Sequence, residues 1–412
     1  LWKKRVRETY FLLLLLYAKK QKKVQRLAQL QLSQARRAMQ AQPLGNTTRF
    51  ASASGEKSAA ADIARARAKR FALQGIAREL LPGERVANCL RAVRPESRGV
   101  EIWQSSSHEK AHYKGLMTCG SVWTCPVCAS KITERRREEL SRALEVSKEK
   151  YSPVMVTVTF SHSPSDSLKD LLEVLNSAWR SLKSGRFWNS IKERYGIVGA
   201  VSALEVTIGS NGWHPHKHSL FFCSKEVDAS QLEHELSQKW QSILSKKERY
   251  ASALHGLSVK SADKAAAEYI SKLSKWTLDY EMSKAPVKKS ASGMSAFQLL
   301  ELSLTAKSEE QRAWCRAKFI EYSEALKSKH FIQWSAGLKA LLGIEEPELT
   351  DEEIAELAED DSVFLALLTR EQWRLVCAND IRAELLEVAS SGDVSKLWSF
   401  LGKFGIFNRE VT

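Results

Sequence analysis

Three histidines alternate along one short stretch of the sequence, Trp-His-Pro-His-Lys-His at 213–218. In a β-strand, residues two apart point to the same face, so His214, His216 and His218 project together, with successive rings spaced roughly 7 Å along the strand. Imidazole nitrogens gathered on one face are typical of a site for a divalent cation. A polar, solvent-facing strand that happens to be rich in histidine would show the same pattern.

An Asn-Gly dipeptide directly before this strand predicts a tight hairpin with the preceding strand, residues 198–208. If residues 209–212 form the whole loop, Glu205 lies opposite His216 with the two Cβ atoms about 5 Å apart. A three-residue loop would turn Glu205 to the other face. The spacing therefore predicts that Glu205, His216 and His218 bind a divalent cation with open positions for water or substrate. Non-haem iron oxygenases and small metal-binding barrels carry similar donors, so the ligand set alone leaves the chemistry open.

Tyr269 lies on a predicted helix, residues 261–277, and Lys272 follows it one turn later on the same face. A phenol with a pKa of about 10 is a weak nucleophile at neutral pH. A metal at a scissile phosphate and a nearby ammonium would both help it to attack. A buried tyrosine beside a lysine whose ammonium extends to solvent has the same spacing. The pair alone therefore does not distinguish a catalytic from a structural role.

Four of the seven cysteines precede the histidine strand, namely Cys89, Cys119, Cys125 and Cys128. A Cys-x-x-Cys knuckle is half of a structural zinc site, and four thiolates complete a tetrahedron. The odd number of cysteines in a chain without a secretory context makes a disulfide framework a poor fit. The sequence therefore predicts a structural Zn²⁺ site. In the alternative, only the knuckle binds metal and the other cysteines are ordinary buried residues. A redox dithiol is disfavoured because no thioredoxin-like βαβ unit surrounds it.

The chain has 412 residues, 43% of them hydrophobic, which is enough for at least two domains with cores of their own. Its net charge is +15, and residues 1–45 hold eleven Lys or Arg against Glu8 alone. This balance favours nucleic acid as the partner without deciding it. The apolar run Tyr10–Ala18 is far shorter than the about 20 residues that a membrane helix needs. We therefore expect a cytoplasmic protein without a membrane partner.

The order of predicted elements indicates an α+β fold built on an antiparallel sheet. Strands are predicted at 153–160, 198–208 and 213–222, and helices at 63–81, 131–149, 166–184 and 228–246. After about residue 290 the patterns are helical only. One of these helices has a capping-box signal at Thr350, with Glu353 as its partner.

Three motifs in this order carry a family resemblance: TVTF at 157–160, GWHPHKH at 212–218 and EYISK at 268–272. They resemble the HUH endonuclease superfamily, in particular the plasmid and phage rolling-circle replication initiators that use one tyrosine. The segments 111–140, the surroundings of Trp179, and 331–344 also resemble that family. The resemblance covers about residues 75–360, and GWHPHKH together with TCGSVWTCPVC is its most specific part.

The resemblance implies a ferredoxin-like nuclease core in which His216 and His218 bind Mg²⁺ or Mn²⁺. It implies that Tyr269, assisted by Lys272, attacks origin DNA, leaving a 5′-phosphotyrosine and a 3′-hydroxyl that primes a polymerase. Origin duplex and single strand are the implied partners, with a host helicase and polymerase. Some relatives carry a Glu one turn before the tyrosine, where this chain has Ala265. Because Glu268 lies about 100° around the helix, we assign no residue to the terminating step.

Four parts of the chain follow from these interpretations. Residues 1–62 are expected to be a basic extension and linker, disordered or non-native. Residues 63–150 form a helix plus zinc-binding cysteine module, 151–289 the HUH nicking endonuclease domain and 290–412 a helical C-terminal domain. The leading prediction is a DNA nicking and joining enzyme. The alternatives are a non-catalytic, zinc-containing DNA-binding regulator, and an oxygenase-like enzyme using the His/carboxylate site.

Overall fold

The computed structural model describes residues 54–107, 110–252, 255–261, 293–344, 349–357 and 361–408. The helices are α1 (Ser54–Leu80), α2 (Pro126–Ser147), α3 (Leu168–Leu182), α4 (Gly185–Tyr195), α5 (Ala229–Ser245), α6 (Ala296–Thr305), α7 (Glu309–Leu326), α8 (Leu338–Leu341), α9 (Asp351–Glu356), α10 (Arg370–Ala378), α11 (Arg382–Ala389) and α12 (Val394–Gly402). The strands are β1 (Gly99–Ser105), β2 (Ala111–Lys114), β3 (Ser152–Val158), β4 (Ile197–Gly209), β5 (Gly212–Cys223), β6 (Leu257–Lys260), β7 (Ile332–Trp334) and β8 (Ser362–Thr369).

The larger sheet has the strand order β6-β3-β5-β4-β7, and every neighbouring pair is antiparallel. Strands β3, β4, β5 and β6 alternate with helices in the sequence β-α-β-β-α-β, which is the ferredoxin-like arrangement. The additional strand β7 pairs with the outer side of β4. The predicted α+β fold with a ferredoxin-like antiparallel sheet is therefore confirmed.

Helices α3 and α5 pack on one face of this sheet. Trp179 of α3 stacks on Phe221 of β5 with ring centroids 6.3 Å apart, and the Trp240 indole of α5 donates to the Thr159 carbonyl. Both helices begin with a side-chain cap, because Ser167 and Asp228 accept hydrogen bonds from the first free backbone N–H groups. The predicted capping box at Thr350 and Glu353 is also present, at the start of α9. Local sequence signals thus fix where these helices begin.

A smaller sheet joins the two ends of the described chain. Strand β1 pairs with β2 on one side and with β8, from the C-terminal region, on the other. Its buried face includes Val100 and Ile102, which belong to a second core with Trp373, Leu385 and other residues of α10 to α12. The prediction that the chain is helical only after about residue 290 is therefore wrong at two places, β7 and β8. A three-residue edge strand and a strand without regular alternation give little periodic signal.

The first core extends from the larger sheet into the cysteine region, since Cys89, Cys119, Cys125 and Cys128 pack in the same cluster as the strands. Helix α1 begins at Ser54, so the last residues of the predicted linker are helical, contrary to that part of the prediction. The four-part domain division otherwise stays a prediction. Within the described part of the chain, no helix combines the length and apolar character needed to cross a membrane.

Candidate metal sites on the larger sheet and in the cysteine cluster

The hairpin of β4 and β5 has the register that the Asn-Gly turn predicts. Gly209 pairs with Gly212 across the turn, and Glu205 pairs with His216. Gly212 has a φ of +84°, and an added Cβ would lie 2.8 Å from the Ser163 carbonyl oxygen. Only glycine combines this backbone conformation with such a close approach of another segment. The turn residue therefore sets both the pairing of the strands and the position of the loop that packs on it.

The three histidines share one face of β5. The rings of His214 and His216 have centroids 4.0 Å apart, and those of His216 and His218 are 6.0 Å apart and nearly parallel. The Nε2 atom of His218 lies 2.7 Å from the Glu205 Oε2 atom. His218 is buried, whereas Glu205 and His216 are half-buried. One carboxylate and two imidazoles therefore face the same accessible side of the sheet.

Thr157 holds His218 from the neighbouring strand. It pairs with His218 across β3 and β5, and its Oγ1 atom lies 2.9 Å from His218 Nδ1. When the threonine oxygen accepts the Nδ1 proton, the Nε2 lone pair is left for a cation on the Glu205 side. This contact gives the first threonine of the TVTF motif a positioning role that the sequence pattern alone did not reveal.

His162 is a further residue of this face that the sequence analysis missed. Its ring lies 4.5 Å from that of His214, and its Nδ1 atom lies 2.9 Å from the Asn211 carbonyl oxygen. Burial, followed by the nearby His162, lowers the pKa of His214 to about 4, against an opposing effect of Glu205. His214 is therefore neutral at pH 7. No periodic signal marks His162, because its position depends on the loop that packs on Gly212.

The three predicted ligands on the larger sheet do not all lie equally close to one another. Glu205 and His218 are in direct contact. Among the described residues, the four cysteines form a group whose donor atoms all lie within 4.8 Å of one another. The donor atoms of Glu205, His216 and His218 do not all lie this close together. The donor types on the histidine face suit a divalent cation, and a cation there would replace the hydrogen bond between Glu205 and His218. Binding would also require the His216 nitrogen to approach the other two donors.

The predicted nucleophile Tyr269 and its partner Lys272 lie outside the described residues. The two attachments of their segment are described. Strand β6 precedes it and pairs with β3, with Ser258 opposite Thr157. The chain rejoins the sheet at Met294, which exchanges backbone hydrogen bonds of 2.7 and 2.9 Å with Ile208. The segment that carries the tyrosine is therefore attached to the sheet on both sides of the histidine strand.

The four clustered cysteines converge in the structure. Cys89 follows a 3₁₀ turn, Cys119 lies in the loop after β2, Cys125 directly precedes α2, and Cys128 lies in the first turn of that helix. The Sγ atom of Cys128 lies 3.5 Å from that of Cys89 and 3.6 Å from that of Cys119, and the Cys125 and Cys89 sulfurs are 3.7 Å apart. All four are free thiols and buried. Four sulfurs of distant sequence positions thus meet at one point of the core.

These distances fit a tetrahedral metal ion. A Zn–S bond of about 2.3 Å at tetrahedral angles places the sulfurs about 3.8 Å apart, close to the separations found here. Hydrogen bonds from the Cys119 thiol to Cys125 and Cys128 raise its pKa, and burial adds to this effect. A cation would remove the need for these protons, because it neutralises thiolates directly. The cluster could therefore hold a metal such as zinc, and four-sulfur coordination leaves no open position for a substrate.

We expect one zinc ion per chain, retained during mild EDTA treatment because the four sulfurs are buried. Replacing Cys125 with serine should remove the zinc and lower the free energy of unfolding by several kcal/mol, since metal binding and local folding are coupled. Elemental analysis and thermal unfolding measure the two effects. The matched control is Cys315→Ser, a buried cysteine outside the cluster, which should keep the zinc. A well-folded wild-type protein without zinc would contradict the assignment.

A family model described as "replication protein" matches residues 113–374. The match spans more than half of the chain and includes the histidine strand and three of the clustered cysteines. This chain belongs to the replication protein family. The predicted replication initiator family is thereby confirmed. The assignment to the single-tyrosine HUH type and the roles of individual residues in this replication protein stay predictions.

Two curated proteins are similar to this replication protein. Protein rep of Streptomyces lividans is 26% identical over 348 residues, which cover 68% of this chain and 76% of that protein. The neomycin resistance protein of Streptomyces cyanogenus is 31% identical over 132 residues, which cover 26% of this chain and 30% of that protein. No solved structure matches the chain.

Proposed function

We propose that this replication protein initiates rolling-circle replication of a plasmid or phage by cutting one strand at the origin and later rejoining it. The observation that carries the proposal is the histidine face, where Glu205, His216 and His218 lie together on the accessible side of a ferredoxin-like sheet. Membership in the replication protein family makes DNA the substrate to be considered first. Host helicase and polymerase would act after the cut.

The reaction proposed is a transesterification at phosphorus. The Tyr269 oxygen forms a bond to the scissile phosphate and the bond to the 3′ oxygen breaks. The phenolic proton is transferred to solvent, and the leaving 3′ oxygen takes up a proton from solvent. The DNA 5′ end stays on the tyrosine and the free 3′-hydroxyl serves as primer. Rejoining is the same exchange in reverse, so no energy source is required. Because each step exchanges one phosphoester bond for another, the same side chain can both cut and rejoin a strand.

Each of the predicted site residues has its own role in the proposed reaction. Glu205, His216 and His218 would hold Mg²⁺ or Mn²⁺, which when bound withdraws charge from the scissile phosphate. Thr157 keeps His218 turned towards the site through its hydrogen bond to Nδ1. Lys272 would stabilise the phenolate or the developing charge on the phosphate oxygens. The attachment of the tyrosine segment at β6 and Met294, on both sides of the histidine strand, supports this assignment.

The test is a nicking assay with supercoiled plasmid carrying the replicon's own origin. With Mg²⁺ or Mn²⁺, we expect relaxed circles with protein covalently attached, and with EDTA we expect neither. A plasmid without the origin is the control for sequence specificity. Binding of the origin without nicking under any metal would favour the second candidate, a non-catalytic DNA-binding regulator, which the buried cysteine cluster would suit equally well.

A further inference from the structure

A groove of about 740 Å³ lies between the sheet and helix α3. Its sheet-side wall includes Leu204 and Lys217, which pair across β4 and β5 and point away from the histidine face. Helix α3 and the loop before β7 form the other walls. An adjoining cavity of about 540 Å³ continues towards β7. The groove is therefore separate from the candidate nicking site, on the opposite side of the same sheet.

Positive charge dominates this groove and its continuation. The basic residues that line them are Arg180, Lys183, Lys217, Lys247 and Lys329. Glu173 is the one acidic residue among the described lining residues. Within the described part of the chain, none of the five basic side chains has a carboxylate oxygen within 4.0 Å, whereas Arg194 and Arg249, which do not line the groove, are each paired with one. The groove thus concentrates cations that the protein itself does not neutralise.

Lys217 lies at the floor of the groove. It is only 7% exposed, and its ammonium donates to the Asn176 side-chain oxygen at 3.0 Å. A buried ammonium without a carboxylate partner is costly, and an anion bound in the groove would offset that cost. Arg180 and Lys329 stand exposed at the rim. Cations at both the floor and the rim suit a flexible polyanion that can enter the groove, which a rigid duplex cannot do.

The continuation of the groove adds aromatic rings. Exposed His330 and half-buried Trp334 line it beside Lys183. Bases of any sequence stack on such rings, while basic side chains follow the phosphates, and this combination is typical of single-strand binding sites. A free phosphate ion would use the cations alone and would leave the aromatic side of the cavity without a role.

We propose that this groove binds the phosphodiester backbone of a DNA single strand. The inference rests on the proposed function for its choice of DNA as the polyanion. The strand bound here is a different stretch from the strand at the histidine face, because the two sites lie on opposite sides of the sheet. The groove thereby retains a single strand near the site while another stretch is cut.

The test measures binding of a fluorescent single-stranded oligonucleotide of mixed sequence to the full chain across a series of salt concentrations. The double variant Arg180→Ala/Lys329→Ala removes two exposed rim cations, so folding is unaffected, and thermal unfolding checks this. Its plot of log affinity against log salt should be shallower by about 1.4, since each lost phosphate contact in a single strand contributes about 0.7. Affinity at low salt should fall roughly tenfold or more.

The matched control is Arg374→Ala/Lys403→Ala, which removes one exposed Arg and one exposed Lys of the C-terminal region and should keep the wild-type slope. Equal slopes in the rim variant and wild type would overturn the proposal. The proposal would also be overturned if the rim variant bound inorganic phosphate more weakly than wild type but bound the oligonucleotide equally well. Because the assay needs no nicking, a chain that binds through the groove but never cuts supports this inference and refutes the proposed function alone.

Discussion

Replacing His218 with alanine should abolish nicking of the origin plasmid, with the rate falling by at least two to three orders of magnitude. The expected reason is the loss of one of the donors that hold the cation, together with the partner of Glu205. Binding of the origin duplex should stay close to wild type, because backbone and base contacts lie elsewhere. His216→Ala should have the same effect. Gel assays of nicking and of binding on the same protein preparations measure both quantities.

A control separates loss of chemistry from loss of folding. His234 is a histidine on the outer surface of α5, bonded to Gln238 and away from the sheet face, so His234→Ala should nick normally. Thr157→Val keeps the shape of the side chain and removes the hydrogen bond to His218. It should weaken Mn²⁺ affinity by about 10–100-fold, the usual effect of losing the group that orients a ligand. Wild-type nicking by both His216→Ala and His218→Ala would refute the metal-site assignment.

Replacing Tyr269 with phenylalanine should eliminate the covalent adduct between protein and DNA. Phenylalanine keeps the ring and its packing and removes only the attacking oxygen, so metal binding and DNA binding should persist. Wild type should give an adduct with a single-stranded origin oligonucleotide that survives denaturing electrophoresis. Lys272→Ala should slow adduct formation by about 10²–10³-fold, the usual effect of removing one group that stabilises developing charge.

Other tyrosines provide the controls for this experiment. Tyr250 is 72% exposed, so Tyr250→Phe tests whether an accessible phenol can substitute, and it should leave the adduct intact. Tyr113 is half-buried beside Trp373, and its hydroxyl donates to the Arg382 carbonyl, so it is a poor candidate for the nucleophile. An adduct mapped to Tyr280 would refute the site assignment. Normal nicking by Tyr269→Phe, with no adduct in wild type, would make a metal-activated water the nucleophile.

Local signals account for what the sequence could predict. The Asn-Gly turn and strict alternation determine which face each residue of a hairpin occupies, so the pairing of Glu205 with His216 follows from the sequence. The Cys-x-x-Cys spacing likewise predicts that Cys125 and Cys128 act as a pair of metal ligands. That Cys89 and Cys119 complete the cluster was inferred from the count of thiols, and the structure brings them within 3.7 Å of their partners.

Long-range packing accounts for what the sequence could not predict. Strand β8 has no regular alternation of buried and exposed residues, and its partner β1 is far away in the sequence. The pairing of the two strands therefore could not be predicted from the sequence. His162 reaches His214 only because its loop packs on Gly212. The charged groove joins side chains from β5, α3, the segment after α5 and the loop before β7, which are far apart in the sequence. Such sites depend on tertiary structure rather than on spacing.

The pairing of β1 with β8 has a consequence for synthesis on the ribosome. The first strand of the smaller sheet is made early, but its partner β8 and the helices that cover its buried face are among the last described residues to emerge. Until then, the nascent chain exposes an unpaired strand edge and the apolar side chains of Val100 and Ile102, features that chaperones and proteases recognise. A chain interrupted before β8 would keep this edge and these side chains exposed, and we expect it to aggregate more readily than the full-length polypeptide.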